Sequence, residues 1–326
     1  MVEEVAQRPS RSRTRVAAFD CGTNSIRLLV ADLDPVTGTA VELVREMRIV
    51  RLGEGVDRTG RISEESMERA YLALDEYALL IAEHAPDVVR FCATSAARDA
   101  ENADVFGAAV RARIGVDVEV IDGDVEARAS YDGATRALVE GEPPFLVLDI
   151  GGGSTELVLG GAREDGGGGL VTAAHSLDIG SVRLTERHLR GTRPDGLPTP
   201  AQLAAVRADV DAALDGCRVD PALARTVVGV AGTVTTVAAG VLGLSTYDRE
   251  AVHLAVLDRD AVTATIADLV AMTVEQRRAL GYMHPGRADV IAAGALILER
   301  ILARTVVATV TVSESDILDG IAWSCV

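Results

Sequence analysis

The chain contains no lysine: all 32 of its basic residues are arginine. That absence excludes whole mechanisms. A Walker-type phosphate loop requires its lysine, kinase-type ATP sites use a lysine on a strand, and Schiff-base catalysis needs a primary amine. Cysteine is almost as scarce. Cys21, Cys92, Cys217 and Cys325 lie far apart and form no C-x-x-C pair, so reduced thiols in a cytoplasmic protein are expected rather than disulfides or a zinc site. The five histidines, His84, His175, His188, His253 and His284, show no i, i+4 spacing for a metal. The uncharged stretch 226–244 carries Gly and Thr throughout and is expected to be strand, turn and helix rather than a membrane span. No signal-peptide core follows Met1, and residues 1–14 are expected to form a disordered tail.

Positive charge is also in deficit. Forty-nine acidic residues leave a net charge of −17, which argues against coating nucleic acid by general electrostatics. Any polyanion must be gripped locally, by backbone amides, arginine pairs and metal ions working against an unfavourable overall field. The length of 326 residues and 48% hydrophobic content suit a globular protein of about two domains.

The most informative feature present is a repeat. Asp20-Cys21-Gly22-Thr23-Asn24-Ser25 reappears as Asp149-Ile150-Gly151-Gly152-Gly153-Ser154, and each copy follows a short apolar run. Aligned without a gap, Leu28 also matches Leu157, and Arg27 falls opposite Glu156. Residues 16–19 and 145–148 predict buried strands; 26–31 and 155–159 predict strands returning from a tight turn. Glycine and small polar residues let backbone N–H groups converge on an anion, and Thr23, Ser25, Ser154 and Thr155 add hydroxyl donors. A carboxylate at the entrance of each turn fits such a site if a divalent cation sits between it and a phosphate.

Between the two copies, Ser63 predicts the N-cap of a helix, residues 88–93 a strand, and Thr94-Ser95-Ala96-Ala97-Arg98 a helix start where Arg98 could reach a phosphate. Residues 116–121 predict a strand that turns at Asp122 into a helix bearing Glu126. A glycine-rich loop is expected at 165–169, a short helix at 185–189, and a Pro/Gly connection at 191–200. Further on, residues 226–231 predict a strand entering a third Gly and hydroxyl turn, at Gly232-Thr233. Helices are expected from Asp258 and Gly286, a strand at 306–312, and a closing helix opened by Ser313 and Glu314. Alternating strands and helices around a duplicated hairpin predict an α/β protein, with two related lobes and a cleft between them.

Taken together these residues resemble the exopolyphosphatase and guanosine pentaphosphate phosphohydrolase family, within the actin, sugar kinase and chaperone ATPase superfamily of ribonuclease H-like folds. The resemblance rests on both Asp-initiated turns, on the segment ending at Arg98, on Glu126-Ala127-Arg128, on residues 176–184 and 229–233, and on Arg287-Ala288-Asp289. Two positions depart from it: Cys21, where Leu or Ile is frequent, and Asp316, where Gly is common. It implies lobes at 15–138 and 139–326, with the last helix of the chain packing back on the first lobe. It also implies hydrolysis of the terminal phosphoanhydride of inorganic polyphosphate with Mg²⁺ or Mn²⁺. On that resemblance Glu126 is the expected general base, and Asp149, Glu156 and Asp20 are the expected metal side. Gly22, Thr23, Asn24, Ser25, Arg98, Gly151, Gly152, Gly153, Ser154, Thr155, Gly232 and Thr233 are the expected phosphate contacts. The expected partners are polyphosphate, with short chains favoured, or guanosine penta- or tetraphosphate as substrate or sensed ligand, and a second copy in a homodimer. Neither nucleic acid nor a membrane is expected.

Overall fold

The structure, a computed structural model, describes residues 13–138, 140–162, 169–191 and 196–326. The tail up to residue 12, the glycine-rich loop at 165–168 and residues 192–195 of the connection lie outside the described residues. The first sheet contains β1 (Thr14–Cys21), β2 (Ser25–Asp34), β3 (Thr39–Ile49), β4 (Val88–Ala93) and β5 (Val118–Val120), in the order β3-β2-β1-β4-β5. The second contains β6 (Phe145–Ile150), β7 (Thr155–Gly161), β8 (Leu170–Leu177), β9 (Thr226–Val230), β10 (Val256–Asp258) and β11 (Thr309–Val312). Taken from its hairpin edge, the second sheet runs β8-β7-β6-β9-β11-β10. Each sheet therefore opens with antiparallel strands (β1/β2, β6/β7) and continues with parallel ones (β1/β4/β5, β6/β9/β11). The repeat of a few residues in the sequence belongs to a duplication of the whole sheet.

Helices complete an α/β architecture. The first half carries α1 (Val56–Thr59), α2 (Glu64–His84), α3 (Ser95–Asp99), α4 (Ala103–Ile114) and α5 (Gly123–Arg136). The second carries α6 (Ser181–Leu184), which runs into a π-helical turn at Thr185–Leu189, then α7 (Pro200–Asp215), α8 (Ala231–Val241), α9 (Arg249–Val252), α10 (Arg259–Ala271), α11 (Val274–Arg278), α12 (Ile291–Leu302) and α13 (Ile317–Trp323). Caps set several of these starts. The Ser63 hydroxyl accepts the Ser66 N–H at the head of α2, and Asp122 accepts the Val125 N–H at the head of α5.

Several boundaries differ from expectation, among them the strand expected at 306–312, which is β11 and begins only at Thr309. The closing helix begins at Ile317 rather than at Ser313, because Asp316 is its cap, accepting from Leu318 N, and forms a capping box with Asp319. The helix expected from Gly286 begins only at Ile291. Gly286 instead lies where a Cβ would come 2.8 Å from Ile49 of the first lobe, so this segment is an interlobe contact. β5 is half the expected length, being a sheet edge.

The two halves exchange their closing helices. α5 buries Ala127, Tyr131 and Ala134 against Phe145, Val147, Val158 and Val228 of the second sheet. α13 buries Ile317, Leu318, Ile321 and Ala322 against Val16, Ala18, Leu29 and Ala31 of the first. A boundary at 138/139 thus assigns α5 by chain order to the lobe whose sheet it does not cover. The helices cross at glycines. A Cβ on Gly133 would come 1.9 Å from the carbonyl oxygen of Asp316, and one on Gly320 2.0 Å from that of Ala129. Only the absence of side chains at both positions allows backbone to meet backbone there. The head of each helix is consequently delivered to the hairpin turn of the opposite half.

Candidate active site

Both hairpin turns close by the same hydrogen bond. Gly22 N donates to the Ser25 carbonyl and Gly151 N to the Ser154 carbonyl, each at 3.0 Å. The turns meet face to face. A Cβ on Gly152 would lie 2.9 Å from Thr23 Cβ, and one on Gly153 2.5 Å from Thr23 Oγ1 and 2.6 Å from Ser95 Oγ. Glycine at 152 and 153 is what allows Thr23 and Ser95, joined by a 2.9 Å hydroxyl contact, to sit against the second turn. A cavity of about 100 Å³ opens between them, lined by Gly22, Thr23, Asn24, Ser25, Gly151, Gly152, Ser154, Gly232 and Thr233.

The register explains why the turns differ in chemistry. In the second hairpin Asp149 pairs across the strands with Glu156, placing two carboxylates side by side in the interior. Such a like-charged pair is destabilising unless something positive is bound there. Among the described residues their hydrogen bonds come from neutral donors: Ser130 Oγ to Asp149 at 2.7 Å, and Ser176 Oγ to Glu156 at 2.7 Å, with Ser154 also bonded to Glu156. Glu126 enters from α5. Its carboxylate accepts Arg98 Nη1 at 3.1 Å, while Arg98 is fixed by the Ile121 carbonyl at 2.8 Å. Burial, opposed by Arg98 and reinforced by Asp20, pushes Glu126 up to about 8. Burial followed by the charge of Asp316 pushes Asp149 up to about 7. Glu156 is driven well above the carboxylate range by burial and then by Glu126 and Asp149. The three acids are therefore close enough to suppress one another's ionisation.

In the first hairpin the partner of Asp20 across the strands is Arg27. Arg27 Nε and Nη2 donate to one oxygen of Asp20 at 2.9 and 2.7 Å, and Nη1 donates to Asp316 at the head of α13. Asp20, expected on the metal side, is thus engaged by an arginine. Among the described residues no three His, Cys, Asp or Glu side chains form a preformed metal cage. Asp149 and Glu156, which form no ion pair with any arginine among the described residues, remain the donor set that suits a hard cation sharing oxygens with phosphate.

Other expected residues divide. Thr155 is buried and its hydroxyl donates to the Ile179 carbonyl at 2.7 Å, so it braces the turn from behind. Gly153 backs onto Thr23 and Ser95, and Arg98 reaches the cavity through Glu126. Gly232 has a further reason to be glycine: a Cβ would lie 2.4 Å from the guanidinium carbon of Arg287. Arg287 lines the cavity, contacts Met47 Sδ at 3.3 Å, and has its pKa lowered by burial. Reasoning from sequence gave Arg287 and Ser181 no site role although both lay in segments carrying the resemblance. Ser181 lines the cavity and donates to the Gly151 carbonyl at 3.2 Å, while Arg287 reaches it beside Met47, 240 residues away in the chain.

A sequence profile described as the Ppx/GppA phosphatase family matches residues 30–325. The chain belongs to this family. Among curated proteins, exopolyphosphatase 2 of Mycobacterium tuberculosis is 45% identical over 322 residues, covering 95% of this chain and 98% of the relative. Among solved structures, an exopolyphosphatase-like protein superposes with a TM-score of 0.90 at 42% identity, covering 97% of this chain and 98% of that one. A Ppx/GppA family member from Aquifex aeolicus gives 0.77 at 32% identity, over 96% and 97% of the two chains. An exopolyphosphatase from Cytophaga hutchinsonii gives 0.83 at 28%, over 95% and 97%. The two-sheet α/β architecture is that of these Ppx/GppA members.

Proposed function

We propose that the protein is an exopolyphosphatase, hydrolysing the terminal phosphoanhydride of inorganic polyphosphate to release orthophosphate. The observation that carries this is the convergence of Glu126, Asp149 and Glu156 on one cavity walled by two glycine and hydroxyl turns. Phosphoryl transfer is chiefly a matter of positioning and charge neutralisation, which these parts supply. The turns at 22–25 and 151–154, with Gly232, Thr233 and Arg287, hold the phosphates. Glu126 takes the proton from the attacking water, and Arg98 orients its carboxylate. Asp149 and Glu156 are the residues that would hold Mg²⁺ or Mn²⁺, which would supply neutralisation of phosphate charge. Asp20 stays with Arg27. With no preformed cage, cation binding without phosphate is expected to be weak.

The test is orthophosphate release from short and long polyphosphate with Mg²⁺ present and removed; no release from either chain rejects the reading. The confined cavity favours short chains, and higher efficiency on chains of hundreds of phosphates would contradict that preference. A second cavity of about 500 Å³ favours a second reading. It adjoins the first at Arg27, Gly232 and Arg287 and is lined by Tyr247, Tyr282, Met47 and Met283, giving room for the base and ribose of guanosine pentaphosphate. Relative turnover on the two substrates decides. Four free cysteines, two of them buried, are consistent with a cytoplasmic protein, and no described helix is long and apolar enough to cross a membrane.

A further inference from the structure

The exchanged helices give the cavity two acidic corners. At one, the head of α5 brings Glu126 to Asp149 and Glu156. At the other, the head of α13 brings Asp316 to Asp20 and Arg27. The second corner holds two carboxylates and one guanidinium, all largely withdrawn from water. Its formal charge is therefore −1, although an arginine stands at its centre.

That arginine occupies the wall between the two cavities, both of which it lines. Asp316 fixes it there from a rigid base. One carboxylate oxygen caps α13 through Leu318 N at 3.0 Å while the other takes Arg27 Nη1, and the Asp316 carbonyl is packed against Gly133 of α5. Arg45, which lines the second cavity, is tied in turn to Asp319 at 2.6 and 3.2 Å. An anionic chain passing from the catalytic cavity towards the second thus meets an arginine already engaged by two carboxylates. At short range in a partly desolvated wall, one unit of charge is a large perturbation.

We propose that Asp316 is a specificity-determining residue: by holding Arg27 between two carboxylates it cancels the attraction of that arginine for polyanions in the wall that Arg27 shares with Arg287, limiting how far a phosphate chain extends beyond the catalytic cavity. Without the Asp316 carboxylate Arg27 would be left with Asp20 alone. The inference rests on the polyphosphate reading, so its test uses binding without turnover.

Asp316→Asn keeps a good helix cap and removes the charge. Binding of short and medium-length sodium polyphosphate to the full chain is measured by calorimetry in EDTA, for the wild type, Asp316→Asn and the control Asp75→Asn. Asp75→Asn deletes one negative charge on an exposed face, where Asp75 pairs with Arg113. The expected result is at least about fivefold tighter binding by Asp316→Asn, larger for the longer chain and shrinking at high salt, with Asp75→Asn at the wild-type value. Equal gains in both variants, a gain independent of chain length, or no gain at all, including no measurable binding, overturns it. Melting curves identify a misfolded Asn variant. In that event Asp316→Gly takes its place under the same criteria, and failure of both to gain affinity overturns the proposal as well. Absence of phosphate release by the wild type would refute the hydrolase reading while leaving this binding comparison intact.

Discussion

Glu126 illustrates how one side chain acquires a role from its surroundings. Beside an N-cap an acid can simply complement the helix dipole. In the structure Glu126 is buried, faces Asp149 and Glu156, and is held by Arg98. Glu126→Gln is expected to lower kcat by about 10²–10⁴, as loss of a general base does, while leaving melting temperature unchanged or raised; unaltered phosphate release would eliminate Glu126 as the base. Since the base must be ionised to act and burial lifts it to about 8 in the metal-free protein, activity should rise with pH from the acid side, with a midpoint at or below that value because a bound cation favours the carboxylate. A flat pH–rate profile across this range would contradict that assignment. Asp20 shows the reverse. Its place in the repeat suggested the same duty as Asp149, but a single difference on the neighbouring strand, Arg27 for Glu156, gives it a guanidinium instead. The aligned sequences displayed that difference; which partner each residue met depended on strand register.

Helices α5 and α13 place the chemistry. Each starts at a hairpin turn belonging to the other half, and the close crossing at Gly133 and Gly320 sets how deeply both heads penetrate. Gly133→Ala would drive a methyl group into the Asp316 carbonyl, where backbone must move. A loss of at least about 1–3 kcal/mol in denaturant unfolding is expected, along with a fall in activity, because Glu126 and Asp316 shift together. Wild-type stability in this variant would show that the crossing tolerates separation. Caps and strands made the existence of both helices legible in the sequence, and Asp122 was read as a start correctly. The cap at Asp316 was missed because Ser313 and Glu314 supply an equally good local signal three residues earlier. Only the packing of Ile317 and Leu318 on the first sheet selects between them.

Across the molecule, the acid cluster couples folding to pH and to cations. Glu126 and Asp149 have native pKa values raised from 4.5 to about 8 and from 3.8 to about 7. Between the unfolded and native values the folded protein binds more protons than the unfolded chain, so stability falls as pH rises through that interval. In EDTA the denaturant midpoint should decline from about pH 5 to about pH 8, and Mg²⁺ with inorganic phosphate should restore much of the loss at the upper end. A midpoint that climbs over this range would show that the carboxylates are ionised and compensated in the free protein. The interlobe pairs Arg51–Asp289 and Arg183–Asp57 hold the cleft walls together and link residues that no local pattern connects.

Sequence alone determined the α/β class, the duplicated turn, the arginine-only basic chemistry and most of the residues lining the cavity. The class, the turns and the basic chemistry follow from periodicity, from backbone needs that glycine alone satisfies, and from composition, all of which are local properties, whereas the roles of Glu126, Asp149 and Glu156 came from the family resemblance. Tertiary structure decided the rest: which carboxylates face one another, that Arg27 serves Asp20 and Asp316, that Arg287 reaches the cavity, and that the closing helices change places. Those outcomes depend on strand register and on backbone contacts between segments as distant as Gly133 and Asp316, where steric fit selects among arrangements that the local sequence leaves equally open.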